Sequence, residues 1–407
     1  MGHETVKMKQ KNSTPTLLRS INSLSRRALR PAFFAALLAG LTIVAAPSAY
    51  AVVQTCDKPG LNAALAAGGT NTFSCGVATT ITVSATKTVS VSGTVLDGGG
   101  LLTISGGGVR RVFAVNAGVT ATFQNLTIAN GAVAGGLGGG INNGGTLTIS
   151  NSTFSGNSTT GGFGGGINNS GTLTISNSTF SGNSAALGGG ISNSSNGSTL
   201  TISNSTFSGN SATPGNGGGI FADTGTVTTI NNSTFSGNSG TLGGAISRNG
   251  GTVTLKNTVV ANSTSGSNCS GTIADGGNNL QFGGSTANSC GATITIANPL
   301  LGALTGSPAY FPLNAGSAAI DTGSNALCAA APVNNASQNG VTRPVDGDGN
   351  GTATCDIGSY EAPALPSIIA TPAKPIPTLS EWAMLLLAAM LAMFGMKEMA
   401  RRRHLEP

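Results

Sequence analysis

The sequence predicts an all-β chain folded as a right-handed parallel β-helix, a solenoid with disulfide-stapled ends. Three observations carry that prediction. The string GTLTISNSTFSGN at 145–157 returns unchanged at 171–183, then as STLTISNSTFSGN at 198–210 and, one residue longer, as GTVTTINNSTFSGN at 225–238. Five isoleucines that close a glycine-rich tetrad (Ile141, Ile167, Ile191, Ile220 and Ile246) follow one another at intervals of 26, 24, 29 and 26 residues. Within a unit, Leu147 and Ile149 alternate with Thr146 and Thr148, which is the period of a half-buried strand and not the i, i+3, i+4 stripe of a helix.

A period near 26 admits the leucine-rich repeat and the parallel β-helix, and the leucine-rich consensus is missing here. β-Branched Thr, Ile and Val favour pleated backbone, with Gly, Asn and Ser as punctuation. Each unit therefore reads as one coil with three short strands, at the tetrad, at TLTI and at STF. Stacked in parallel at ~4.8 Å, a coil buries its apolar side chains only against its neighbours. Leu147, Ile149 and Phe154 then lie over Leu173, Ile175 and Phe180, and these over Leu200, Ile202 and Phe207. Right-handed crossovers are the rule for parallel connections. Looser copies at 120–130 and 251–262 place the clearest coils in 118–262, inside a β-helix domain spanning 52–297.

Taken from the N-terminus, residues 1–51 read as a secretory signal peptide. Seven Lys/Arg and one Glu precede an apolar run from Ala32 to Ala46, and the small residues Ala49 and Ala51 flank a cleavage position. An uncleaved N-terminal anchor is the alternative. These residues hold a net +6 and the body 52–376 only −1, so the basic isoelectric point belongs to the targeting segments and gives no reason to expect nucleic acid. Both histidines, His3 and His404, lie at the extreme ends, which removes imidazole chemistry from everything between them.

Six cysteines in an exported chain predict disulfides. Of the connectivities open to them, the sequential pairs Cys56–Cys75, Cys269–Cys290 and Cys328–Cys355 are each confined to one local segment, and they would staple the ends of the solenoid. No C-x-x-C pair suggests zinc. In the coils, Asn125, Asn151, Asn177, Asn204, Asn232 and Asn257 share one phase, and Asn157, Asn183, Asn210 and Asn238 share another. Asparagine repeated at a bend predicts internal amide ladders, with outward-facing sugar-binding rows as the alternative.

The glycine tetrad (Gly243-Gly244-Ala245-Ile246 most closely) alternating with Phe-x-x-Asn, as in Phe154-Ser155-Gly156-Asn157, resembles the repeats of the chlamydial polymorphic outer membrane proteins. That likeness implies a surface β-helix with a role in adhesion, although the translocating barrel of that family has no counterpart here. Residues 298–361 resemble the choice-of-anchor Q domain through Asn298-Pro299-Leu300-Leu301-Gly302, Gly316-Ser317-Ala318-Ala319-Ile320-Asp321, Arg343-Pro344 and Cys355-Asp356-Ile357-Gly358-Ser359-Tyr360-Glu361. The family implies a β-helix followed by an interchangeable anchoring tail, and it brings no catalytic activity with it.

Asp346-Gly347-Asp348-Gly349-Asn350-Gly351 sets oxygen ligands at every second residue with glycine at the turn, the first half of a calcium loop. Asp346, Asp348, Asn350 and Asp356 are its candidate ligands, although Ile357 stands where the closing glutamate belongs. A plain Asp/Gly turn is the competing reading, with no cofactor at all.

Prolines at 363, 366, 372 and 375 mark 362–375 as a linker, and 376–407 as a separate tail. Ile376-Pro377-Thr378-Leu379-Ser380-Glu381-Trp382, an apolar stretch to Met396 and the basic end Arg401-Arg402-Arg403 closely resemble the IPTL-CTERM sorting signal of Gram-negative bacteria, with Ala383 where the family usually has Gly. The resemblance implies export to the cell surface or outer membrane, insertion of the helix in a membrane, and an exosortase-type membrane protease as partner. A permanent, unprocessed anchor is the alternative.

β-Helix lyases and hydrolases cut polysaccharides with clustered charged side chains. Between 112 and 300 only Asp223, Arg248, Lys256 and Asp275 are charged, too few for the carboxylate pair a glycosidase needs. Asp223 and Arg248, nearly in register on adjacent coils, read as a cross-coil salt bridge, and Arg110-Arg111 with Asp97 as a solvated edge. The expectation is an exported, non-enzymatic structural, adhesive or matrix-associated protein, with a cell-surface polysaccharide as a candidate ligand. A polysaccharide lyase or glycoside hydrolase of the β-helix class is the rival.

Overall fold

The computed structural model describes residues 51–286, 289–365 and 379–402. The signal-peptide reading, with Ala49, falls outside them, and Ala51 is the first residue described. From Val52 to Ile296 the chain winds as a parallel β-helix. An eight-stranded parallel sheet collects the five strands that start at the tetrad isoleucines with three more starting at Lys87, Phe113 and Cys269, and an 18-stranded sheet includes the TLTI and TFS strands. The first of the isoleucine strands runs Ile141–Asn143, so it begins where the tetrad ends. The glycines before it make the bend. Gly164 has φ +67°, and a Cβ there would lie 2.1 Å from the Ile167 carbonyl oxygen, so only glycine fits.

The register is the one the repeats require. Leu147 pairs with Leu173 and Leu173 with Leu200. Phe154, Phe180, Phe207 and Phe235 stack in sequence, with ring centroids 4.6, 4.8 and 4.5 Å apart and planes within 9°. All four rings are fully buried. The longer fourth unit is absorbed by setting Thr228 opposite Leu200 and returning Ile230 to the column of Ile202. The buried Thr228 hydroxyl accepts a bond from Asn193 Nδ2 at 3.2 Å. At the last coil Gln281 takes the phenylalanine column opposite Val260, and its amide bonds Gly291 O, Ile294 O and Cys290 N.

One asparagine phase is the expected ladder. Each side chain of Asn157, Asn183 and Asn210 donates to the Oδ1 of the asparagine one coil on, at 2.9–3.0 Å, and also to a backbone carbonyl. The other phase is not a ladder. Asn125, Asn151, Asn177, Asn204, Asn232 and Asn257 have φ between 43° and 53°, and their role is to hold the left-handed bend between the TLTI and TFS strands, which asparagine tolerates best after glycine. A further ladder went unread in the sequence: Asn143 donates to Asn169 and Asn169 to Asn193, both at 2.8 Å.

The body is not purely β. Helix α1 (Lys58–Ala67) closes the N-terminal end, its first turn capped by Asp57 accepting from Gly60 N. Leu61, Ala64 and Leu65 bury against the first coils, and Cys56–Cys75 ties the cap down. A second disulfide joins Cys269, which sits in the isoleucine column opposite Ile246, to Cys290. A short helix α2 (Asn325–Ala329) lies in the segment after the coils, and the tail forms helix α3 (Leu379–Arg402).

Candidate functional site

After the last coil the chain turns back and crosses the side of the solenoid as a strap, residues 298–362. It covers the outward threonines of the TFS strands. Thr179 Oγ1 donates to the Ala309 carbonyl, Thr206 Oγ1 donates to Gln338 Oε1 at 2.6 Å, and Thr234 Oγ1 accepts from Ser359 N at 3.0 Å. Beyond Thr234 the column turns apolar, with Val259 and then Leu280, which join Ala261, Ala319 and Ile357 in a small second core. The bend asparagines follow the same gradient. Asn151 is exposed, whereas Asn204, Asn232 and Asn257 are buried. The third disulfide, Cys328–Cys355, sits beside the last coils, outside the coil winding itself. It lies inside the strap, where Cys328 Sγ accepts from Asn232 Nδ2 at 3.0 Å and Asn257 Nδ2 at 3.3 Å.

The strap has its own ionic centre. Arg343 is fully buried, with Nε on Ala336 O, Nη1 on Asp356 O, Nη2 on Gly358 O and Tyr360 O, and an ion pair to Glu361 at 3.2 Å. Glu361 accepts from Val345 N and Asp356 N, and Asp356 from Asp321 N and Ala362 N. One guanidinium thus faces two buried carboxylates. Burial first, and the charge of Glu361 second, push the Asp356 carboxyl up to about 7. Burial also raises Glu361, against the opposing pull of Arg343. All three residues fall in the stretches that carry the choice-of-anchor Q resemblance, Arg343-Pro344 and 355–361, but nothing in those stretches indicated that they would meet as a buried ionic cluster.

Of the four residues read as a calcium loop, Asp346, Asp348 and Asn350 come together and Asp356 does not, being engaged beside Arg343. Asp321 takes its place, and single carboxylate oxygens of Asp321, Asp346 and Asp348 lie within 4.8 Å of one another. These three could hold a divalent cation. The turn also closes on its own, since Asp346 accepts from Gly349, Asn350 and Gly351 N–H groups and Asp348 from Asn350 N. Asp321 Oδ2 accepts from Asp348 N, and burial raises its carboxyl above the ordinary range. An adjoining cavity of about 620 Å³ is lined by Leu313, Ile320, Asp348, Tyr360 and Leu365 among others.

On the coils the expected charge pairs do not form. Asp223 accepts from Thr224 N and from Asn249 Nδ2, and Arg248 Nε donates to the Gly251 carbonyl of its own coil. The register explains this: Arg248 pairs with Ala222, so Asn249 and not Arg248 stands beside Asp223. Asp275 accepts from Gly277 N and Asn279 Nδ2 and lies in the other large sheet. Near the N-terminal coils Arg110 is exposed, and Arg111 and Asp97 are half-buried and hydrogen-bonded. Arg111 Nε bonds the carbonyls of Leu137 and Gly138, and Asp97 accepts from Gln124 and Asn125 on the next coil.

In the tail, Ile376, Pro377 and Thr378 fall outside the described residues, while Leu379, Ser380, Glu381 and Trp382 open helix α3. Its 24 residues give about 36 Å at ~1.5 Å per residue, enough for a ~30 Å hydrocarbon core. The helix is longer than the apolar stretch from Trp382 to Met396, because Leu379–Glu381 precede it and Lys397, Glu398 and the first arginines continue it. Its described side chains from Ser380 onward are exposed, and the span is long and apolar enough to cross a membrane.

Comparison with known families gives two matches. Residues 80–260 match the right handed beta helix region, and residues 374–404 match the IPTL-CTERM motif. No curated protein and no solved structure matches the chain. The protein is a right-handed β-helix with a C-terminal sorting tail, a tail that marks it for export and for processing by a membrane enzyme.

Proposed function

We propose that the protein is a non-catalytic, structural or adhesive component of the cell surface or extracellular matrix of a Gram-negative bacterium. Its tail is handled by an exosortase-type protease, and the strap acts as the anchor-proximal domain of the choice-of-anchor Q type. The observation that carries this reading is the engagement of the charged side chains on the described coils. Asp223, Arg248 and Asp275 each bond to backbone or amide groups of their own or the adjacent coil, and neither carboxylate has a second acid across a cleft, as hydrolysis of a glycosidic bond requires. Partner recognition then falls to hydroxyl and amide rows, in keeping with the repeats' likeness to surface adhesins.

The test is a panel of acidic and neutral polysaccharides assayed for reducing ends and unsaturated products. No turnover is expected. Turnover that disappears in Asp223→Ala would replace this reading with a lyase or hydrolase. Mass spectrometry of the cell-associated protein should find a C-terminus upstream of Arg401, and an intact basic end would mean a permanent anchor instead.

A further inference from the structure

The strap covers one row of threonines and leaves two others open. On the TLTI strands, Thr122, Thr148, Thr174, Thr201, Thr229 and Thr254 stand one above the next through six coils. A parallel column two residues earlier runs from Thr120 to Thr252, and Val227 is its one departure from threonine. The columns lie ~6.7 Å apart along each strand and repeat every ~4.8 Å from coil to coil. A β-branched side chain holds few χ1 rotamers, so methyl and hydroxyl groups recur as a two-dimensional lattice.

The chemistry of this lattice differs from that of the covered row. Thr179, Thr206 and Thr234 have their hydroxyls bonded by the strap. Among the described residues, the open columns contain a single side-chain hydrogen bond, from Thr199 Oγ1 to Thr172 Oγ1 at 3.4 Å. The other hydroxyls face water without a protein partner. None of the twelve positions is ionisable or aromatic; Lys256, at the border of the last coil, is the nearest charge on these strands. A neutral face complements a neutral partner and offers nothing to a polyanion. It also lacks the concavity and the aromatic platform by which proteins hold sugar rings.

We propose that this face binds ice. Hexagonal ice is an uncharged lattice of hydrogen-bonded oxygens whose repeats on a prism face lie close to both spacings of the threonine array. Hydroxyls at lattice points can replace lattice waters, while the intervening methyls order water between them. The proposal is independent of how the tail is processed and of whether the protein is an enzyme.

The full-length purified protein should be tested by partitioning into a slowly grown ice hemisphere and by the shape of single crystals grown in its presence. Enrichment in the ice fraction over a soluble control protein and faceted crystals are expected. Thr148→Lys and Thr201→Lys, each in the middle of the array, should lower the partitioning about tenfold, the change that ~1.4 kcal/mol produces. Thr160→Lys, exposed outside the array, should leave it unchanged, with β circular dichroism verifying the fold of all three. Exclusion of the wild-type protein from ice would overturn the proposal. So would equal partitioning of the array variants, or threonine-dependent binding to crystalline cellulose or chitin without binding to ice.

Discussion

At the scale of single residues, the two asparagine phases have the same chemistry and opposite energetics. Asn183 is fully buried and closes three bonds at once: from Asn157, to Asn210 and to the Phe154 carbonyl. Asn183→Ala leaves those partners unsatisfied in the core and should lower unfolding free energy by ~1–3 kcal/mol or more in denaturant titration. Asn151 is exposed at φ 48°, so Asn151→Gly should change it by only a few tenths of a kcal/mol, about what glycine costs where the left-handed region is already in use. The spacing made both phases visible in the sequence but could not tell them apart, because a bend residue and a ladder residue recur with the same period. Asp356 supplies the pH dependence. Its carboxyl moves from 3.8 to about 7 on folding, so between those values the folded state holds a proton that the unfolded chain has lost. Stability therefore falls as pH rises through that window, and the penalty is complete above 7. Thermal melts should shift downward from pH 5 to pH 8, and Asp356→Ala should flatten that slope.

At the scale of elements, the coils were legible and the strap was not. A strand that repeats every 26 residues announces itself, and so did Cys56–Cys75, Cys269–Cys290 and Cys328–Cys355 by their local spacing. The strap has no period. Its placement depends on contacts such as Gln338 with Thr179 and Thr206, about 130–160 residues away, and no local pattern encodes such a pairing. For the same reason Asp356 was grouped with the Asp346 loop by proximity in sequence, although the fold delivers it to Arg343. Cap helix α1 carried readable signals in Asp57 and Pro59, a capping carboxylate and a first-turn proline. The strap's attachment is itself testable. Replacing Cys328 and Cys355 by serine removes a 27-residue loop constraint, worth ~3 kcal/mol or more by loop entropy. Amide exchange should then accelerate across 324–361 and at the Thr179, Thr206 and Thr234 rows, while the Asn157–Asn238 ladder stays protected. Uniform acceleration would mean that strap and coils unfold together.

At the scale of the whole molecule, the account rests on side chains one repeat apart lying directly over one another. The aromatic column, the buried amide ladders, the strap's seat and the open threonine lattice all follow from that register. The measurement that tests it most directly is pulsed dipolar spectroscopy on spin labels attached at the outward-facing, half-buried column, with Thr122 held as one site and Thr201 or Thr254 as the other. Three and five coils at ~4.8 Å predict mean separations of about 14 and 24 Å, growing in proportion to the number of repeats crossed. Separations that fail to grow with repeat number, or that scatter independently of it, would contradict the stacking and with it every surface described above.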